Sequence, residues 1–303
     1  MNGLKTGIKS ILWSAAALLL LLAVAVPLVN ALVAAVMMVP AVILYTTLSK
    51  RSFAVHMAVV YAIGTVVLGP AALIIGVFFL IPSVVMGHLY RKGVPARKVL
   101  TAVMLTLLGE SLLELLLADL WFDFSLIHEI RSMITDTIDN LNSEGLMPGT
   151  WTAEVTESYI QSLIHAIPMA LIVISFVFTV IAHAIAGKAL RASGLSIPKL
   201  QPAHKWMLPR FFVLYYLIVL MMDMAVPTEG TSFMTVMLHN LLPLMKLAFS
   251  IQAMGFCFYL AHERKWNKAI PVILSVIVAI FPPLSLVGVL DAAFPIRRAF
   301  KKS

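Results

Sequence analysis

Eight apolar runs, each close to the length of a membrane-crossing helix, follow one another along this chain, separated mostly by short breaks of proline, glycine or basic residues. They cover Ile11 to Val29, about Ala31 to Leu48, Phe53 to Leu68, Ala71 to Tyr90, Val99 to Ala118, about Leu163 to Leu190, Phe211 to Val226 and about Phe233 to Ala261. Pro27 and Asn30 make the first turn, Gly69-Pro70 ends the third run, and Pro82 is an internal kink of a kind that spanning helices tolerate. The first run follows Lys5 and Lys9 and contains an A-x-A-like Ala23-Val-Ala25, so it has the outline of a signal peptide. Its length, and the runs behind it, favour a retained first span.

A ninth apolar stretch, Ala269 to Leu290, is interrupted in its middle by Pro282-Pro283. A single crossing there would carry Arg297, Arg298, Lys301 and Lys302 to the outer side. A double proline instead breaks the run into two short arms, so 269–297 is read as a hairpin that enters and returns. With that reading both termini lie inside, and every basic residue except Arg131 and Lys246 falls on the inner side, as the positive-inside rule requires.

Two stretches between runs have structure of their own. Residues 119–162 hold eight acids and one base, Arg131, which places them outside. Within them Ile127, Ile130, Ile134, Ile138 and Leu141 recur at three- and four-residue spacing, the mark of an amphipathic helix ended by Gly145. A second helix is expected from near Thr150-Trp151, with Val155 and Tyr159 on one face, running into the sixth span. The pair forms either a lid over the outer ends of the bundle or an ordered interfacial connector. Residues 191–210 carry Arg191, Lys199, Lys205 and Arg210 and no acid. Pro198, Pro202 and Pro209 exclude a long helix there, leaving an irregular inner segment with Trp206 as anchor.

The expected fold is therefore all-α: a polytopic transmembrane helix bundle of eight full spans plus a Pro-broken C-terminal hairpin, with an amphipathic helical outer loop, as a single transmembrane domain over 1–303. Composition agrees, because 61% hydrophobic side chains and a mean hydropathy of +0.99 lie outside the soluble range. The net charge of +8 would suit a nucleic-acid partner, yet the basic residues cluster between the spans, so topology accounts for them and no nucleic acid is implied. The single cysteine, Cys257, excludes an intramolecular disulfide and an all-cysteine metal site.

Candidate chemistry rests on polar groups inside the spans. Thr106, Glu110 and Glu114 are spaced by four and share one helix face, which is not one to present to lipid. Counted from Asp119, Glu110 lies roughly 13 Å deep at about 1.5 Å per residue, and Lys246 on the eighth span lies at roughly 15 to 20 Å. A charge left alone near the bilayer centre costs about 2.5 to 3.5 kcal/mol or more, so the matching depths suggest an ion pair. Two carboxylates then share one ammonium, and like charges four residues apart resist double ionisation, so the cluster takes up a proton or a cation. This is a proton- or cation-binding site or, equally, a structural pair locking two helices. Asp223, His239 and Asn240, near the outer ends of the seventh and eighth spans, either extend the cluster or are interfacial groups. His183, Ser250 and Gln252 are read as interhelical hydrogen-bonding residues.

Absent motifs narrow the functions. There is no P-loop, no H-E-x-x-H, no G-x-S-x-G and no Cys/His cluster, so no catalytic residue, metal ligand or cofactor is assigned and an enzyme is not expected.

The closing segment Gly288-Val-Leu-Asp291-Ala-Ala-Phe294-Pro-Ile-Arg297 and the Pro-rich stretch from Pro198 to Pro209 resemble the YybS-like DUF2232 family of bacterial multi-pass membrane proteins. Length, span order and the long outer loop resemble it as well. The resemblance implies a bacterial plasma-membrane location, gives Gly288, Asp291, Phe294 and Arg297 as family signature positions, and brings a distant likeness to the substrate-binding subunits of energy-coupling-factor transporters, hence a separate energising protein as partner. Together the readings give a small-molecule or ion transporter, or its substrate-binding subunit, with a site in the outer half of the bundle. The alternative is a non-transporting scaffold or regulator that docks a regulatory partner through the inner basic loops.

Overall fold

A computed structural model of the chain describes residues 2–122, 124–148, 151–225 and 232–300. Thr150, Val226, Lys301 and Lys302, named above, lie outside the described residues. The described residues form helices and no strand: α1 (Asn2–Ala23), α2 (Asn30–Val36), α3 (Met38–Thr47), α4 (Lys50–Leu68), α5 (Ala71–Arg91), α6 (Ala96–Phe122), α7 (Leu126–Ser143), α8 (Ala153–Ala192), α9 (Phe211–Ala225), α10 (Phe233–Glu263), α11 (Ala269–Ile280), α12 (Ser285–Ala293) and α13 (Ile296–Phe300). This is an all-helical membrane protein. Six of the described helical segments are long and apolar enough to cross a bilayer, seven if α11 and the segment through α12 count as one broken span; the apolar helices Gly7–Ala23 and Phe211–Ala225 are shorter. The bent pair falls on the expected hairpin, and each of the others corresponds to one of the eight expected spans.

Local chemistry sets the ends. The Ser49 hydroxyl accepts the Ser52 amide at 3.2 Å and starts α4, while Ser232 caps α10 through the Thr235 amide, also at 3.2 Å. At Pro282-Pro283 the two arms bend by 115°, because neither proline supplies an amide hydrogen to continue α11. The amphipathic helix expected over the isoleucine repeat is α7, and the following helix runs into the sixth span as one element, α8.

Contacts gather the chain into two compact units, Met1–Met133 with Ala170–Leu200, and Ile134–Met169 with Gln201–Ser303. The first is built on α1, α3, α4, α5 and α6 around a core that includes Leu21, Met38, Leu44, Met86 and Leu107. The C-terminal half of α8 adds to it, where buried His183 and Tyr90 of α5 meet through Nδ1 and the phenol oxygen at 2.7 Å. An interhelical hydrogen bond is what a lone histidine among apolar residues needs when water is absent.

The second unit is organised by α10, against which α9, α11, α12 and the 201–210 segment pack. That segment is irregular, with one turn of 3-10 helix at Ala203–Lys205. A Cβ on Gly288 of α12 would sit 1.9 Å from the Phe249 carbonyl oxygen, so only glycine permits the two backbones to approach so closely.

Candidate functional site

Glu114 lines a pocket of about 740 Å³ in the first unit. Its walls come from Leu73, Ile74, Val77 and Phe78 on α5, from Ser111 to Ala118 on α6, from Phe124 and Leu126 where the chain turns into α7, and from Leu171 on α8. Ser111 and Glu114 are its polar lining residues; they share a face because they are three apart on one helix. The Ser111 hydroxyl donates to the Leu107 carbonyl at 3.0 Å, so toward the pocket it has only acceptor capacity to offer. Glu114 is therefore the one charged group among walls that, Ser111 apart, are apolar. Its burial is intermediate.

Glu110, one turn earlier, does not line this pocket, although both its carboxylate oxygens are buried and lack a hydrogen-bond partner among the described residues. Thr106, the third member of the expected stripe, turns its hydroxyl back to the Ala102 carbonyl at 2.9 Å. The stripe thus divides into a self-satisfied hydroxyl, an unpartnered carboxylate and a carboxylate in a pocket. Lys246, the expected cation, belongs to the second unit and is exposed on α10.

The other candidates lie in the second unit. The side chain of Asn240 is inserted into the backbone of α8: its amide nitrogen donates to the His165 carbonyl at 2.6 Å and its carbonyl oxygen accepts from the Met169 amide at 2.8 Å. Those two backbone groups would bond each other in an uninterrupted helix, and Pro168 between them opens the turn. The remaining amide hydrogen goes to the Val236 carbonyl at 2.7 Å, leaving no donor for a ligand. Exposed His239 lies with its ring centroid 6.3 Å from that of His165. Asp223 is partly buried near the end of α9.

A second polar node was only partly visible in the sequence. Asp291, fully buried on α12, accepts from Arg297 Nε at 2.9 Å and from Arg297 Nη2 at 2.7 Å. Gln252 of α10 donates to the same carboxylate at 2.5 Å and accepts the Leu208 amide at 2.8 Å. Arg297 also donates to the His204 and Trp206 carbonyls at 3.0 and 2.8 Å, and its guanidinium lies over the Tyr259 ring at 5.0 Å. One carboxylate, one guanidinium and one amide thus tie the irregular segment to the last helices. Phe294, which ends α12, is 57% exposed and takes no part.

These closing residues are those that carry the resemblance, and comparison with known proteins extends it over the chain. The family described as Predicted membrane protein (DUF2232) matches residues 14–292. The chain belongs to the DUF2232 family. It is also 24% identical over 306 residues to the uncharacterized protein YybS of Bacillus subtilis (strain 168), with 96% of this chain and 97% of that protein covered. No solved structure matches. In this DUF2232 protein, then, Gly288 serves a close helix crossing and Asp291 with Arg297 a buried ion pair. Among the described residues no group of three or more His, Cys, Asp or Glu could hold a metal ion.

Proposed function

We propose that this membrane protein binds a small amphipathic molecule with a cationic head in the Glu114 pocket, and that it acts as a transporter or as the substrate-binding subunit of one. The observation that carries the reading is a pocket of about 740 Å³ whose apolar walls hold one carboxylate. That size suits a small organic ligand. A carboxylate facing apolar walls at membrane depth favours a cation that brings its own apolar body. Glu110, one turn away and with no hydrogen-bond partner among the described residues, is a second acceptor for the same charge or for a coupled proton. In this reading the protein is not an enzyme, lies in a bacterial plasma membrane with both termini cytoplasmic, and works with an energising protein partner.

Equilibrium dialysis of the purified protein with tetraphenylphosphonium, and with tetraphenylborate as its anionic counterpart of similar shape, tests the reading. Glu114→Gln is expected to weaken phosphonium binding about tenfold, the loss of one charge contact of about 1.4 kcal/mol, and to leave the borate unchanged. Equal binding by the variant and the parent protein, with both folded, removes Glu114 from the site.

A further inference from the structure

A second, unrelated cavity of about 680 Å³ lies in the second unit, bounded by His204, His262, Lys265, Trp266, Lys268 and the start of α11 through Val272. Its polar wall is cationic. The rings of His204 and His262 stack in parallel, with centroids 4.2 Å apart and planes 6° from parallel. Around His204 the positive charges of Lys205 and Arg297 oppose that of Glu263. Neither Lys265 nor Lys268 forms an ion pair among the described residues.

Lys265 is also in an unexpected place. The ends of α5, α7, α8 and α10 share one closing geometry, in which an amide bonds the carbonyl five residues earlier across a residue of positive φ. In the first three that residue is glycine, Gly93, Gly145 or Gly194, with φ of 66°, 70° and 88°. At the end of α10 it is Lys265, with φ of 54°, while the Trp266 amide bonds the Ala261 carbonyl at 2.9 Å. A lysine in a conformation that favours glycine stores strain, and here it sets an ammonium at the rim of the cavity.

We infer that this cavity is a binding site for the headgroup of an anionic phospholipid, with the phosphodiester between the histidine pair and the two lysines. The cavity joins directly to an apolar helix face that suits acyl chains. On α11 Val272, Ile273, Val276 and Ile277 are exposed, and Trp266, 41% exposed, stands at the end of a spanning helix where amphipathic rings mark the membrane interface. A soluble anion would use the cationic wall and leave this face without a role, so a lipid fits both halves. Clustered basic side chains beside spanning helices are the chemistry that retains such headgroups.

Native mass spectrometry of the full-length protein in a zwitterionic detergent, titrated with phosphatidylglycerol or with phosphatidylcholine of the same chains, tests the assignment. Phosphatidylglycerol is expected to bind at least tenfold more tightly. The pair Lys265→Gly and Lys268→Gln should lose about 25-fold in affinity for phosphatidylglycerol, roughly fivefold per lysine, while phosphatidylcholine binding stays unchanged. Lys265→Gly also relieves the positive φ, so the variant should unfold no earlier than the parent; Lys268→Gln alone, at an exposed position, is expected to lose about fivefold. Equal affinity for the two lipids, or unchanged affinity in the variants, overturns the site. Inorganic phosphate competing as well as phosphatidylglycerol overturns the lipid as its occupant.

Discussion

Removing Arg297 should cost this protein more than removing both Arg297 and the charge it neutralises. Asp291 has no exposed surface, and in Arg297→Met its carboxylate would keep only the Gln252 amide, at 2.5 Å. Breaking a buried ion pair from one side costs about 3 to 5 kcal/mol, because the remaining charge is left uncompensated. The His204 and Trp206 carbonyls lose a charged donor as well, but they lie on a partly exposed segment where water can replace it. Adding Asp291→Asn removes the stranded charge while keeping an acceptor for Gln252. The double variant should therefore recover about 2 kcal/mol relative to Arg297→Met, although a second substitution has been made. Unfolding of the four proteins in mixed micelles, followed by circular dichroism against denaturant, gives the complete cycle. Additive losses, with the double variant less stable than either single one, would refute a charge-pairing role and leave the node as ordinary packing.

Two further outcomes follow from named contacts. Gly288→Ala should destabilise by about 1 to 3 kcal/mol or more in the same unfolding assay, since its Cβ would lie 1.9 Å from the Phe249 carbonyl oxygen; Gly109→Ala, on α6 with nothing within 4 Å, should cost nothing. Desolvation, and then the charges of His262, Lys205 and Arg297 against the opposing Glu263, hold the His204 ring below its ordinary value of 6.5. Unfolded chains take that proton more readily, so the stabilising contribution is complete above 6.5 and is lost as pH falls below it; His204→Asn should flatten the unfolding midpoint between about pH 7 and pH 5.

What the sequence made legible follows from solvent. In a bilayer each backbone amide must bond within its own helix, so apolar run length reports helix length, and the spans, the amphipathic α7 and the break at Pro282-Pro283 could be read directly. The side-chain pairings could not. Asn240 and Met169 are 71 residues apart, and Gln252 and Asp291 are 39 apart; nothing in periodicity says that either pair meets. Depth matched Glu110 to Lys246, and depth is one of the three coordinates of a contact, so the sequence could not decide that pair either. The signal for Ser111 was present in its three-residue spacing from Glu114. The signal for Lys265 was present too, in the absence of glycine where α10 had to stop.

Polar residues within the helices of this chain fall into two sets, and the division bears on function. Asn240 and Gln252 have their donors occupied, and Asp291 its carboxylate, because each repairs backbone or charge that the fold would otherwise leave unsatisfied: the opened turn at Pro168, the irregular 201–210 segment and the guanidinium of Arg297. Such groups are retained by the requirement that buried donors and acceptors be matched. Glu110 and Glu114 repair nothing. They sit within the continuous helix α6, one with no hydrogen-bond partner among the described residues and the other facing a pocket, so replacing either with leucine should raise stability. Among the described residues Thr179 Oγ1 and Arg191 Nη1 also lack a hydrogen-bond partner, but Glu110 is the carboxylate in that condition, which is why the two glutamates of α6 are the residues to substitute first.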